Sequence, residues 1–351
     1  MDTTSLLKTL ISYRPVTDDV TQVNKLVDFV KQYLDDKGVG TAVEKSGSRK
    51  ILYASVNDTK KPRIMFNSHL DVVPAEENQF TLTENDGWLY GRGTHDCLGN
   101  TAILIKLLVK SEPEADFGVI FSTDEEQGGL TTAEMVKRGY QADEMVVIVD
   151  GSGDSIITAQ KGVLSLQLKA IGSECHAAKP WQGENAIDRL INGYLKIREL
   201  FPEVKPPDDW HNTMAATVIN GGNVHNRVPE ESCLTLNIRY TENTNAEDIV
   251  ADIKRLSGLE AEINMNVPPV FCNRNSTPIK KLEQHMCNHL QREIDFKHSN
   301  GATDARHFNN SGVPVAIIGT PGKDEHGSRE CISIAGLKEY EEMLQQFPSV
   351  L

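Results

Sequence analysis

Five short, nearly uninterrupted apolar runs, spaced by helix-length segments, constrain this chain more than any other feature. Residues 51–56 (ILYASV), 63–67 (RIMFN), 117–121 (FGVIF), 145–149 (MVVIV) and 313–318 (VPVAII) read as strands. Around them lie helical patterns. Residues 20–37 place Val23, Leu26, Val27, Phe29, Val30 and Leu34 on one broad face, and 100–110, 131–138, 277–291 and 335–347 follow the same period. The N-terminal residues form a short amphipathic helix from a threonine cap to just before Pro15. A strand that is apolar on both sides must be covered on both faces. Alternation with helices therefore predicts an α/β fold: a three-layer domain around a parallel or mixed sheet.

The pattern changes after Asp150. Residues 163–171 (VLSLQLKAI) alternate as a half-exposed strand does, and so do 214–220 and 232–240, the last with Leu234, Leu236 and Ile238 on one face. Helices are expected over 185–200 and 246–256, the second capped by Asn245, and a strand over 261–267. The order strand, helix, strand, strand, helix, strand is the ferredoxin-like α+β arrangement. The expected division is one domain of residues 1–162 and 272–351 with a second, 163–271, inserted into it.

At 351 residues the chain is long enough for two such cores. Its charge, 36 − 50 = −14, disfavours nucleic acid, which needs clustered Lys and Arg. The six cysteines are scattered without a C-x-x-C pair, which argues against a disulfide framework and a thiolate zinc site. No basic segment followed by an apolar one opens the chain, and no apolar run approaches the ~20 residues of a membrane span. A reduced, cytoplasmic setting with no membrane partner is expected.

Chemistry concentrates where the strands end. The run 63–67 leads into Ser68-His69-Leu70-Asp71. Asp96 precedes an apolar helix, 117–121 leads into Asp124-Glu125-Glu126, 145–149 into Asp150, and 313–318 through a Gly/Pro turn into Asp324-Glu325-His326. In open α/β sheets ligands bind at the carboxyl ends of strands. One such residue alone is more often a cap or a solvated loop group, but five reaching one rim point to a shared ligand. Imidazole and carboxylate without thiolate suit zinc, cobalt or manganese. That many acids need more than one positive charge, and two divalent ions sharing a carboxylate supply it. On this reading metal ions hold the acids at 124–126. One of two consecutive glutamates can bind metal while its neighbour serves as general base, and the Asp71 carboxylate accepts the second ring N–H of His69.

The segments NSHLDVVP, GRGTHDCLGN, STDEEQGG, GSECHAAKP, GATDARHF and EHGSRE resemble, in order and over nearly the whole chain, the motifs of the dinuclear zinc aminoacylases and peptidases. That family includes acetylornithine deacetylase, succinyl-diaminopimelate desuccinylase, carboxypeptidase G and several di- and tripeptidases. The resemblance implies that His69 and Asp150 hold one metal ion, Glu126 and His326 the other, and that Asp96 bridges them. It implies that Glu125 is the general base acting on a metal-bridged water and passing its proton to the leaving amine. A cis peptide after the bridging aspartate, here Asp96–Cys97, belongs to the same pattern. The inserted domain matches the family's lid and dimerisation domain, and His176 resembles the histidine that reaches across a homodimer to the tetrahedral oxyanion. Asn226 and Arg239 match positions that meet the substrate and its carboxylate, and Gly301 and Thr303 match a substrate loop.

The chain also departs from the family. The bridging motif usually continues Asp-Met-Lys-Gly, and here reads Asp96-Cys97-Leu98-Gly99. His95 is read as a surface residue, the alternative being an extra polar contact, and Cys97 and Cys175 as structural. In the family a glutamate at the position of Asp150 goes with deacylases and carboxypeptidases, and an aspartate with amino- and dipeptidases. Three readings follow: hydrolysis of a small N-acyl amino acid, as by acetylornithine deacetylase or succinyl-diaminopimelate desuccinylase; a dipeptidase or aminopeptidase; and a catalytically silent binding protein of the same fold.

Overall fold

A computed structural model describes all residues except 113, 152 and 154. It divides into two compact units, one of residues 1–158, 272–297 and 303–351, the other of 159–271 and 298–302.

A mixed sheet, six of whose strands lie wholly in the first unit, runs in the order Gly40–Ser46, Arg49–Ser55, Phe117–Ser122, Ile64–His69, Met145–Val149, Val315–Ile318 and then Ser155–Gln160, whose last two residues fall in the second unit. The four strands from Phe117–Ser122 to Val315–Ile318 are mutually parallel, so their carboxyl ends share one edge. Both faces are covered, as the uninterrupted apolar runs require. Ile64, Phe66, Val119, Phe121, Val147 and Ile318 join one core with the helices Thr3–Ser12, Val20–Asp35, Leu98–Lys110, Thr277–Leu290 and Ile334–Gln346. The alternate positions Met65, Ile120, Val146, Ile148 and Ile317 are equally buried. Their face is covered by the helix Leu130–Lys137, with buried Met135, and by the turn Asp304–Phe308. The result is the expected three-layer α/β architecture.

Several bounds differ from the expected ones for local reasons. The first helix is capped by Asp2, whose carboxylate accepts the Ser5 N–H, and not by a threonine. The second ends at Asp35. The strands Gly40–Ser46 and Ser155–Gln160 were not anticipated, because the first carries little apolar pattern and sits at the sheet's edge.

The second unit contains a four-stranded antiparallel sheet in the order Thr213–Gly221, Glu231–Tyr240, Gly162–Ile171, Glu260–Val267. In chain order this is second, third, first, fourth, which is the ferredoxin-like topology. Leu164, Leu166, Leu168, Leu234, Leu236 and Ile238 pack against Leu190, Ile249 and Ile253 of the helices Ala186–Arg198 and Ala246–Ser257. Asn185 and Asn245 cap these helices through their side chains.

Candidate metal centre

At the shared carboxyl edge, residues from three strand ends and two loops converge. Asp96 sits between two imidazoles. Its Oδ1 lies 2.9 Å from His69 Nε2 and its Oδ2 lies 2.9 Å from His326 Nε2. Asp150 Oδ1 is 3.5 Å from His69 Nε2, and Glu126 Oε2 is 3.0 Å from His326 Nε2. Two donor sets follow, His69/Asp96/Asp150 with Cys97 nearby, and Asp96/Glu126/His326. Within each set the ligand atoms lie within 4.8 Å of one another. Asp96 belongs to both. The Asp96–Cys97 peptide is cis.

The electrostatics of the cluster follow from burying several acids beside two imidazoles. Burial pushes Asp150 up to about 7 despite His69 beside it. Burial also raises Glu125, and the carboxylates of Asp150 and Asp304 add to the effect. His326 is raised to about 10 by Asp96 and Glu126, and Asp96 is held low by the two histidines against its burial. Among the described residues, Glu125 Oε1 and Glu126 Oε1 are buried without a hydrogen-bond partner. Orphaned carboxylate oxygens are costly unless a cation or water completes them. Imidazole and carboxylate donors in overlapping sets fit divalent cations well.

Three expectations change. The Asp71 carboxylate is not the nearest acceptor of the His69 ring. Nδ1 meets the main-chain oxygen of Asp71 at 2.8 Å, with Oδ1 at 3.5 Å. The carboxylate instead accepts the Thr17 hydroxyl at 2.9 Å and the backbone N–H of Glu125 at 3.2 Å. Asp124 turns away from the cluster, and its Oδ1 accepts both the N–H and the hydroxyl of Thr131. It is thus held by a helix start rather than by metal. His95 is buried, only 5% exposed, with Gly322 close against its ring, Nε2 3.9 Å from Glu325 and Nδ1 without a hydrogen-bond partner among the described residues. It is no surface residue. Cys97 is buried against the Ser68 hydroxyl at 3.0 Å, and burial pushes its thiol up to about 12.

Three groups escaped the sequence reading. Asp304 is buried beneath the 124–129 turn, accepting the hydroxyls of Ser122 and Thr132. A side chain at Gly129 would meet its Oδ1 at 1.8 Å, which accounts for one glycine after the acidic triplet. Arg92 and Glu330 form a buried ion pair. The only sequence signal for the three was position: Arg92, Asp304 and Glu330 lie inside the segments GRGTHDCLGN, GATDARHF and EHGSRE.

The remaining candidates are described within their own units. Thr303, in the first unit, caps the turn Asp304–Phe308 through its hydroxyl, which accepts the Ala305 N–H. His176 and Asn226 are neighbours in the second unit. His176 pairs with Arg227 in a two-residue ladder, and the Asn226 carbonyl accepts the Ala177 N–H at 2.9 Å. Both line an open depression with Cys175 and Arg227. Arg239 stands on the strand Glu231–Tyr240, with Nε 3.1 Å from Asn237 Oδ1, and the Gly301 N–H donates to Ser299 Oγ.

This architecture has known counterparts. A probable succinyl-diaminopimelate desuccinylase from Staphylococcus aureus is 26% identical over 353 residues, covering 86% of both chains. A succinyl-diaminopimelate desuccinylase from Nautilia profundicola is 25% identical over 350 residues, covering 94% of both. The crystal structure of an aminopeptidase from Bacillus cereus superposes with a TM-score of 0.83 at 19% identity, over 99% of this chain and 98% of the other. The family model for peptidases M20/M25/M40 matches residues 65–349, and this chain belongs to that family of metal-dependent hydrolases of amide and peptide bonds.

Proposed function

We propose that the protein removes the acyl group from a small N-acyl amino acid, in the manner of acetylornithine deacetylase or succinyl-diaminopimelate desuccinylase. The observation that carries the hydrolytic reading is the Asp96 carboxylate, whose two oxygens face two histidines that each have a further acid partner, and the choice of an N-acyl amino acid rests on the similarity to desuccinylases. Two divalent ions, zinc first and cobalt or manganese as alternatives, would be held by His69, Asp96 and Asp150, and by Asp96, Glu126 and His326. When bound, they polarise the scissile carbonyl and acidify water. Glu125 takes a proton from the attacking water and delivers it to the amide nitrogen as the C–N bond breaks. Asp71 positions Glu125 through its backbone. Arg239 anchors a substrate carboxylate by a fork of hydrogen bonds, with Asn226, Gly301 and Thr303 as further contacts.

Residues 163–271 act as the lid and dimerisation domain of a cytoplasmic homodimer, and His176 of one chain serves the oxyanion at the site of its partner. The exposed edge strand Thr213–Gly221, with Val218 and Ile219, and the exposed Ile191 and Leu195 of the adjacent helix supply an apolar strip for that contact. No helix among the described residues is long and apolar enough to cross a membrane.

A dipeptidase or aminopeptidase is the second reading, favoured by the aspartate at 150. The test is a substrate panel on metal-loaded protein: N-acetylornithine, N-succinyl-diaminopimelate, other N-acyl amino acids and dipeptides. Preferred turnover of an N-acyl amino acid supports the first reading, and preferred turnover of dipeptides replaces it with the second. Metal binding without any turnover returns the silent binding protein.

A further inference from the structure

Glu330 is fully buried, and its two oxygens are filled by donors from one loop. Oε1 accepts the backbone N–H groups of His95 at 2.9 Å and Asp96 at 3.1 Å, and Oε2 accepts the N–H of Gly93 at 3.0 Å and Arg92 Nη1 at 2.5 Å. Arg92 continues the connection. Its Nη2 donates to the carbonyls of His326 at 2.9 Å and Gly327 at 3.3 Å, and Gln79 adds a bond to the Gly327 carbonyl at 3.1 Å. The pair thus ties the loop that carries Asp96 to the turn that carries His326. That turn needs holding. Asp324 and His326 both have left-handed backbone, with φ of 58° and 61°. Such conformations persist in non-glycine residues where surrounding contacts over-determine them. Arg92, Glu330 and Gln79 belong to neither ligand set, and Glu330 and Arg92 reach Asp96 and His326 through backbone atoms, leaving the ligand side chains free.

We infer that Arg92 and Glu330 are positioning residues that pre-organise the metal centre before any ion arrives. The two have unequal tasks. Glu330 holds the backbone of Asp96, which belongs to both donor sets. Arg92 holds the carbonyl of His326, which belongs to one. Partners behind the ligands commonly carry ~10–100-fold of metal affinity. The inference rests on the dinuclear reading above, and the experiment separates the two.

Zinc is titrated into metal-free wild type, Arg92→Lys, Glu330→Gln and His326→Ala against a chromophoric chelator. Thermal unfolding of each metal-free form controls for a general loss of structure. Lysine keeps the charge at 92 but cannot span Glu330 and the His326 carbonyl as a guanidinium does. Arg92→Lys should weaken the same equivalent that His326→Ala removes, by ~10–100-fold, and leave the other near its wild-type value. Glu330→Gln should weaken both. Wild-type affinities in Arg92→Lys, or equal loss of both equivalents in it, would overturn the inference. A His326→Ala variant that binds as wild type does removes the ligand assignment itself, and the role of Arg92 with it. If the Arg92 variant does not fold, hydrogen exchange of the metal-free wild type decides. The amides of Gly93, His95 and Asp96 should be protected, and free exchange there overturns pre-organisation.

Discussion

The backbone N–H of Glu125 donates to Asp71 Oδ1 at 3.2 Å. One strand end thereby fixes the residue that another strand end presents, and the two strands involved, Ile64–His69 and Phe117–Ser122, are neighbours in the sheet. Asp71→Ala would strip this amide of its acceptor and leave the Thr17 hydroxyl with only the Val72 carbonyl, at 3.2 Å. An unpaired buried donor costs about 1–3 kcal/mol, and a displaced catalytic group can cost about 100-fold in rate. We expect Asp71→Ala to lower both Tm and kcat, and Asp71→Asn, which keeps an acceptor oxygen, to recover most of the Tm. Unchanged kcat in the alanine variant would end the positioning role.

Glu125 and Glu126 are adjacent but differ in their surroundings. Glu126 faces His326, whereas Glu125 belongs to neither donor set. Glu125→Ala should therefore bind as much divalent metal as wild type while its turnover falls by about 100–10,000-fold, the usual contribution of general acid–base catalysis. Metal analysis beside steady-state kinetics checks this. Loss of metal in the variant would make Glu125 a ligand.

Asp124 is predicted to behave unlike either glutamate. Its carboxylate accepts the N–H and hydroxyl of Thr131 in the first turn of the helix Leu130–Lys137, in the manner of a cap. Asp124→Ala should cost about 0.5–2 kcal/mol of stability, as lost caps do, and leave metal stoichiometry intact. Denaturant unfolding and metal analysis of the same preparation give both readings.

The centre should bind metal more tightly as pH rises. In the metal-free protein Asp96 and Glu126 raise His326 from 6.5 to about 10. At neutral pH that imidazole is protonated, and an incoming ion must displace the proton. Apparent affinity should climb by about tenfold per pH unit for each proton displaced. The sign for stability is opposite. A histidine raised on folding stabilises the metal-free fold below its ordinary value, and that contribution is lost as pH rises from 6.5 through about 10. Calorimetry in buffers of different ionisation enthalpy should show proton release on zinc binding. No release would mean that His326 is not a ligand.

The proposed dimer is open to a direct test on its edge strand. Ile219 is 62% exposed on Thr213–Gly221. Ile219→Lys places a charge on the apolar strip and should yield monomer by sedimentation. If His176 acts across the dimer, kcat should fall with it. A dimeric Ile219→Lys protein would move the interface elsewhere.

Much of this protein was decided by sequence alone. Runs such as MVVIV and FGVIF cannot lie at a surface, so a sheet covered on both faces followed from hydrophobic burial. The period-two segments 163–171 and 232–240 required a second, one-sided sheet. Strand ends put His69, Glu125, Glu126, Asp150 and His326 at one edge, because parallel strands share a direction. Only the tertiary structure decided what each acid does there. Asp124 and Asp304 resemble the ligands in type, but hydroxyls of Thr131, Ser122 and Thr132 claim them. Asp71 was expected to hold an imidazole and instead holds a backbone amide. Glu330, 234 residues from Asp96 in sequence, grips its N–H. Periodicity reports which face of an element is buried. It carries no information about which donor lies opposite a carboxylate, since that depends on side-chain direction and on loops that meet only after the sheet has formed.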